Sequence, residues 1–328
     1  MNRVNIKRWR SSAAALIALL GLISCALISG CEPGDISAQP GDAGTQSPKP
    51  TPGTPPVYII PPIPAATAPG LLFEENDKAV IDFSNTKDGY VMARFRADTD
   101  MQVRVIVVIP DETEYTYRLA PGGGYETLPL SGGDGPYLIK VMEQVEGSRY
   151  ATILATHVDV TLTDEFEPFL RPSQFVNFNV NSEVVRKAAE LTAAADSLMD
   201  KIRVVYEFVI TNIDYDYDLA TSVQSGYIPV LDEVLERGKG ICFDYAAVMT
   251  AMLRSQGIPT KMVFGFAGEA YHAWISVYSE ETGWIDEVIF FDGVTWRLVD
   301  PTFAATGDAA SVAQFIGDGT RYRVKYLY

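Results

Sequence analysis

Cys242 lies in the stretch GKGICFDYAAVMTAMLRSQGIPTK, residues 238–261, and is the only cysteine beyond residue 31. With no partner thiol downstream it is either a small buried hydrophobe or a reactive group. The apolar spacing of CFDYAAVMTAMLRSQG predicts a helix over about 242–256, entered from a loop bearing Gly238 and Gly240. In a first helical turn the free N–H groups and the positive end of the dipole favour a thiolate. The two glycines are read as allowing a substrate backbone to approach. Of the two histidines, His157 sits in ATHVDVTL and His272 in AYHAWISVY. Period-two alternation puts His272, Trp274 and Ser276 on one face, and in WRLVDPT it puts Trp296, Leu298 and Asp300 on one face. If these strands are close in an antiparallel sheet, His272 and Asp300 become cross-strand neighbours. A helix laid over that face by its N-terminal end would bring Cys242 to them.

Each of the three residues then has a chemical role. The thiolate is the nucleophile, the imidazole takes the thiol proton and returns one to a leaving amine, and the carboxylate fixes the imidazole tautomer. The backbone N–H of Cys242 would be one oxyanion donor, with Tyr215 and Tyr217 in NIDYDYDLA as candidates for the second. A metal site built from the same residues would need a fourth ligand, and the sequence has no close-spaced CxxC or HxxxH pair. No phosphate loop, dinucleotide fingerprint or EF-hand loop is present either, so neither a metal nor a cofactor is expected. His157 reads as a structural histidine, Trp274, Trp284 and Trp296 as core or site walls, and Asp244 as an acidic partner of the helix dipole.

The elements that must position these residues follow from pattern and composition. Residues 1–30 read as a signal peptide, with Arg3, Lys7, Arg8 and Arg10 ahead of an apolar run ending in ISGC. The ending is similar to a bacterial lipobox and makes Cys31 the expected lipidated residue. LISC at Cys25 also fits, but would leave apolar ALISG exposed. Residues 31–70, rich in Pro, Gly, Ser and Thr, read as a disordered tether. Residues 71–165 show at least six short β-type runs between turns, which predicts an all-β sandwich of immunoglobulin-like type. Residues 166–328 turn helical from Asn181 or Ser182, continue near 228–236, and then switch to strands, with Asp292 and Gly293 as a hairpin turn. Helices followed by an antiparallel sheet predict an α+β domain. The formal net charge is −16, more negative still once the basic leader is set aside, so nucleic acid is not expected as a partner. Expected partners are a peptide or protein substrate and, through Cys31, the membrane.

GKGICFDYAAVMTAMLRSQGIPTKMVFGF, then YHAWISVY, then WRLVDPTF resembles the transglutaminase-like core domain of bacterial proteins, a member of the papain-like cysteine-enzyme superfamily. The resemblance spans about residues 180–305. It implies a papain-like fold and a Cys-His-Asp triad matching Cys242, His272 and Asp300. The implied chemistry is attack on a peptide or protein amide, a thioester, and transfer of the acyl group to an amine or to water. Between His272 and Asp300 the chain departs from a minimal core by the longer stretch SEETGWIDEVIFFDGVT. The expected protein is an extracytoplasmic, lipid-anchored enzyme. Its rival is a non-catalytic surface binding or scaffold module on the same fold.

Overall fold

The computed structural model describes residues 58–267, 269–285, 289–291, 296–298 and 322–328. All of them fall within one compact unit, Pro55–Tyr328.

Alternation builds the first half. β1 (Phe73–Glu75), β2 (Ala79–Asp82), β3 (Tyr90–Phe95), β4 (Val103–Val108), β5 (Glu114–Leu119), β6 (Glu126–Pro129), β7 (Gly135–Glu146) and β8 (Arg149–Val160) form two antiparallel sheets, ordered β1-β2-β3-β6 and β5-β4-β7-β8. In β5, Tyr115, Tyr117 and Leu119 are buried and Glu114, Thr116 and Arg118 exposed, so one face joins the core and the other meets solvent. Residues of both sheets, such as Ile81, Phe95, Val105 and Ile139, share one apolar core. At the start of β7 the buried Tyr137 hydroxyl reaches back to the carbonyls of Leu130 (3.1 Å) and Gly133 (2.9 Å), fixing the turn that leads into the strand.

The chain ahead of β1 is pinned as well. Ile60 and Ile63 pack on the core, the Thr67 N–H donates to the Tyr90 hydroxyl (3.1 Å), and the Gly70 N–H donates to Asp82 (2.6 Å). The tether read over 31–70 therefore ends earlier than its composition suggests. Prolines give 58–70 few backbone donors, but its isoleucines supply apolar anchors.

The second half contains α1 (Glu183–Thr192), α2 (Leu198–Asn212), β9 (Asp214–Tyr215), α3 (Tyr217–Ser222), α4 (Leu231–Arg237), β10 (Lys239–Gly240) and α5 (Cys242–Arg254). The strands β11 (Thr260–Ala267), β12 (Ala270–Ser279), β13 (Gly283–Ile285), β14 (Ile289–Phe291), β15 (Trp296–Leu298) and β16 (Tyr322–Leu327) follow. An antiparallel sheet of order β13-β12-β11-β16 carries the fold, β14 pairs with β15, and β9 pairs in parallel with β10. The periodic run from 183 to 212 is two helices: Ser197 accepts the Asp200 N–H (3.1 Å) and starts α2 afresh. The first turn of α1 is capped from α4, where the Asp232 carboxylate accepts the N–H groups of Glu183 and Val184, both at 3.0 Å. No helix among the described residues is long and apolar enough to cross a membrane.

From Phe243 to Arg254 every residue of α5 is buried, because the helix lies at the centre of the domain and is covered on all sides. It packs against α1, α2 and α4 on one side and β11 and β12 on the other. At its C-terminal end the Arg254 guanidinium donates to three carbonyls, of Thr260 (2.9 Å), Arg171 (2.8 Å) and Tyr328 (2.7 Å). An aromatic chain then joins the two halves. Tyr117 stacks on Phe175 (5.5 Å), Phe175 meets Tyr328 (4.7 Å) and Phe243 (6.1 Å), and the Leu327 N–H donates to the Tyr115 hydroxyl (3.1 Å).

Candidate active site

The N-terminus of α5 is held by a buried carboxylate. Ile241 is the N-cap and has no polar side chain, so the capping comes from Asp244, whose Oδ2 accepts the Ile241 N–H at 2.8 Å. Its Oδ1 accepts from the Tyr227 hydroxyl (2.6 Å) and from Arg237 Nη2 (2.9 Å), and Arg237 Nε donates to the Lys239 carbonyl (2.7 Å). Asp244 is fully buried. Burial pushes its carboxyl above the usual range, while Tyr227, the Ile241 N–H and Arg237 pull it back. The Tyr227 phenol, raised to about 12 by burial and then by Asp244, stays protonated and donating. Asp244 thus does more than answer the helix dipole.

This arrangement also explains the two glycines differently from their first reading. Gly238 ends α4 in the left-handed region (φ 60°). At Gly240 an added Cβ would lie 2.5 Å from the Asp244 Cβ, so the glycine makes room for the buried carboxylate.

Asp244→Ala removes all three contacts and should lower stability by about 2–4 kcal/mol, read as a fall in the urea midpoint. Asp244→Asn tests the charge. Because the folded carboxyl is raised, its contribution is largest below the unfolded value and declines as pH rises through the folded one. Wild type should therefore lose stability relative to Asp244→Asn as pH rises above about 4.

Cys242 is the first residue of α5, partly buried against the core with its thiol free. The Phe243 ring meets Phe264 of β11 at 4.9 Å, and Phe264 stacks near Tyr271 of β12 at 6.1 Å. The Tyr271 hydroxyl is raised by burial, by Tyr326 and by the nearby Cys242. The thiol therefore reaches the end of the sheet where β12 begins, one residue before His272.

The register assigns the faces of β12. Phe264 pairs with Ala273 and Gly265 with His272, so Phe264, Tyr271 and Ala273 share the α5 side. His272 and Trp274 share the other, where their rings lie 6.4 Å apart and Trp274 meets Tyr322 at 5.1 Å. The expectation that α5 covers the His272 face is thus corrected. Ala273, Ile275 and Val277, buried in the same apolar core as α5, form the surface on which the helix packs. His272 itself is 7% exposed.

Tyr215 is carried beside the site by its pairing with Gly240, and its ring lies 4.9 Å from that of Tyr217, which is 65% exposed. His157 stands on the exposed side of β8, and Trp284 packs on Phe169 at 5.4 Å with Lys261 over its ring. Asp300, Cys31, and the turn residues Asp292 and Gly293 lie outside the described residues. Sequence reading passed over Tyr271, which directly precedes the singled-out His272, and Arg237, four residues after Glu233 on an ordinary helix.

Residues 185–287 match the model of the Transglutaminase-like superfamily, a range that includes Cys242 and His272. Within this transglutaminase-like region Cys242 stands at the N-terminus of a helix packed on an antiparallel sheet. Over 153 residues it is 25% identical to the Uncharacterized protein YebA of Bacillus subtilis, covering 41% of this chain and 19% of that one. The chain thus spans about a fifth of that relative's length. Among solved structures, a candidate cysteine protease from Cytophaga hutchinsonii is similar over 71% of this chain and 73% of its own, with 15% identity and a TM-score of 0.37. Red sea bream transglutaminase is similar over 67% of this chain and 48% of its own, with 14% identity and a TM-score of 0.28.

Proposed function

We propose that this protein is a cysteine acyl-transfer enzyme of peptide or protein amides, with Cys242 as nucleophile, His272 as base and acid, and Asp300 as the carboxylate that orients His272. The observation that carries the reading is a partly accessible thiol at the first position of an otherwise buried helix, inside the transglutaminase-like domain. There, N–H groups at the start of the helix are available to stabilise the oxyanion formed from the substrate carbonyl. Sγ bonds to the amide carbon, the amide C–N bond breaks, and His272 passes the thiol proton to the leaving nitrogen. The thioester then yields its acyl group to an amine or to water, and the thiol is regenerated.

The setting belongs to the same proposal. The leader and the cysteine at 31 support an extracytoplasmic, lipid-anchored protein. The N-terminal sheets are read as an immunoglobulin-like sandwich. With edge strand β1 set aside, three strands face four, and the Tyr137 hydroxyl reaching back from the start of β7 supports this reading.

One observation favours the second reading, a non-catalytic binding module: by register His272 lies on the face of β12 away from Phe264 and α5. Incubating the full chain with a labelled primary amine and a mixed peptide pool separates the outcomes. Amine incorporated into peptide means transfer, new peptide termini mean hydrolysis, and both should vanish in Cys242→Ala. Neither product from wild type would leave the binding module.

A further inference from the structure

A cleft of about 750 Å³ runs along the outer face of the β4–β5 sheet, and its far wall is the segment around Ser225 and Gly226 of the transglutaminase-like half. Its floor holds Arg104 and Arg118, which face each other directly across β4 and β5. Like charges in directly opposed positions repel and weaken a sheet. Here no carboxylate among the described residues is within ion-pair distance of either arginine. In a chain of formal net charge −16, the two cations lie side by side in a cleft whose one acidic lining residue, Asp100, forms an ion pair with neither.

Both side chains are held in place. The Arg104 guanidinium lies over the Tyr150 ring, its Cζ 3.4 Å from the centroid, and its Nε is buried without a hydrogen-bond partner. Arg118 Nη2 donates to the Ser225 carbonyl at 3.1 Å, and Gly226 (φ 84°) lies so close that any Cβ there would collide with the guanidinium. Two fixed planar forks side by side suit a carboxylate, which arginine binds through paired N–H groups.

Cys242 does not line the cleft itself but is linked to it through neighbouring residues. Phe175 lines it and touches Phe243, the residue after Cys242. Gly226 is followed by Tyr227, whose hydroxyl holds the Asp244 that caps α5.

We propose that this cleft is a carboxylate-binding subsite for an acidic peptide, with Arg104 and Arg118 gripping a Glu, Asp or terminal carboxylate of the chain whose amide meets Cys242. The role as a substrate subsite rests on Cys242 being the nucleophile, whereas the binding does not. Net charge alone would have pointed to cationic partners, but the two arginines set the local field.

The test is titration calorimetry of the full chain in a Cys242→Ala background, with N-acetyl-triglutamate against N-acetyl-triglutamine and inorganic phosphate at matched ionic strength. Triglutamate should bind and triglutamine should not. Arg104→Gln and Arg118→Gln should each weaken binding at least tenfold, with Arg104→Lys retaining part of it. Arg104→Gln loses the contact with Tyr150 but also the repulsion with Arg118, so it should melt close to its parent, which separates lost binding from lost folding. The proposal is overturned if triglutamate does not bind, if both glutamine variants bind it as the parent does, or if phosphate binds equally well. Triglutamate binding together with an absence of acyl chemistry in wild type would sink the catalytic reading and leave the carboxylate site standing.

Discussion

Arg254→Met is expected to destabilise the chain by about 3 kcal/mol, lowering the melting temperature by roughly 10 °C. Arg254 is 2% exposed and donates to the carbonyls of Thr260, Arg171 and Tyr328, so a single side chain staples the start of β11, the linker between the halves and the end of β16. Two effects oppose each other. Burial draws its pKa well below the ordinary arginine value, to about 9, because a charge held away from water is costly, and methionine removes that cost. Methionine also strands the acceptors, and the Tyr328 carbonyl alone keeps a recorded second donor, the Met262 N–H at 2.8 Å. Leaving buried acceptors unmet outweighs relief of a charge that stays protonated at neutral pH and is already solvated by three carbonyls. Arg254→Lys should fall between, because one ammonium on a flexible stem cannot span three diverging oxygens. Thermal melts of the three proteins decide this. A methionine variant as stable as wild type would mean the staple contributes nothing net.

Arg254 shows where the sequence stops being informative. An arginine in the last turn of a helix reads as a partner of the dipole, and only the tertiary arrangement reveals three chain segments converging on it. Asp244 behaves the same way. Its position three residues after the N-cap is a local signal, but the Tyr227 and Arg237 that complete its network come from a loop and another helix. Local signals with a strong period were legible: the start of α5 at Cys242, its length to within two residues, and six of the eight N-terminal strands. The two overlooked strands, β1 and β6, are FEE and ETLP, too short and too polar to show alternation. The break between α1 and α2 carries neither Pro nor Gly, so only the Ser197 cap marks it. Which face of β12 the helix would cover was undecidable from period two alone, because alternation names two faces without saying which is buried by what.

That face decides what to expect of His272→Ala. If His272 draws the thiol proton, alkylation of Cys242 by iodoacetamide in the full chain should be fast well below the ordinary thiol pKa of about 8.5, and the alanine variant should react some tenfold or more slowly at pH 6–7. The two rates should converge above pH 9, where any accessible thiol ionises unaided. The helix alone predicts a smaller acceleration that survives in His272→Ala, since first-turn N–H groups lower a thiol pKa without an imidazole. The pH profile therefore separates the two sources where a single rate would not. Tyr271→Phe provides the internal check. Its hydroxyl lies within electrostatic reach of Cys242 on the α5 side of the strand, so a response to Tyr271→Phe with none to His272→Ala would assign the thiol's environment to the tyrosine. A response confined to His272→Ala requires the imidazole to reach Cys242 around the end of β12, which is the geometry a catalytic pair demands. Indifference to both substitutions would leave Cys242 a structural cysteine at a helix start, and the domain a binding module.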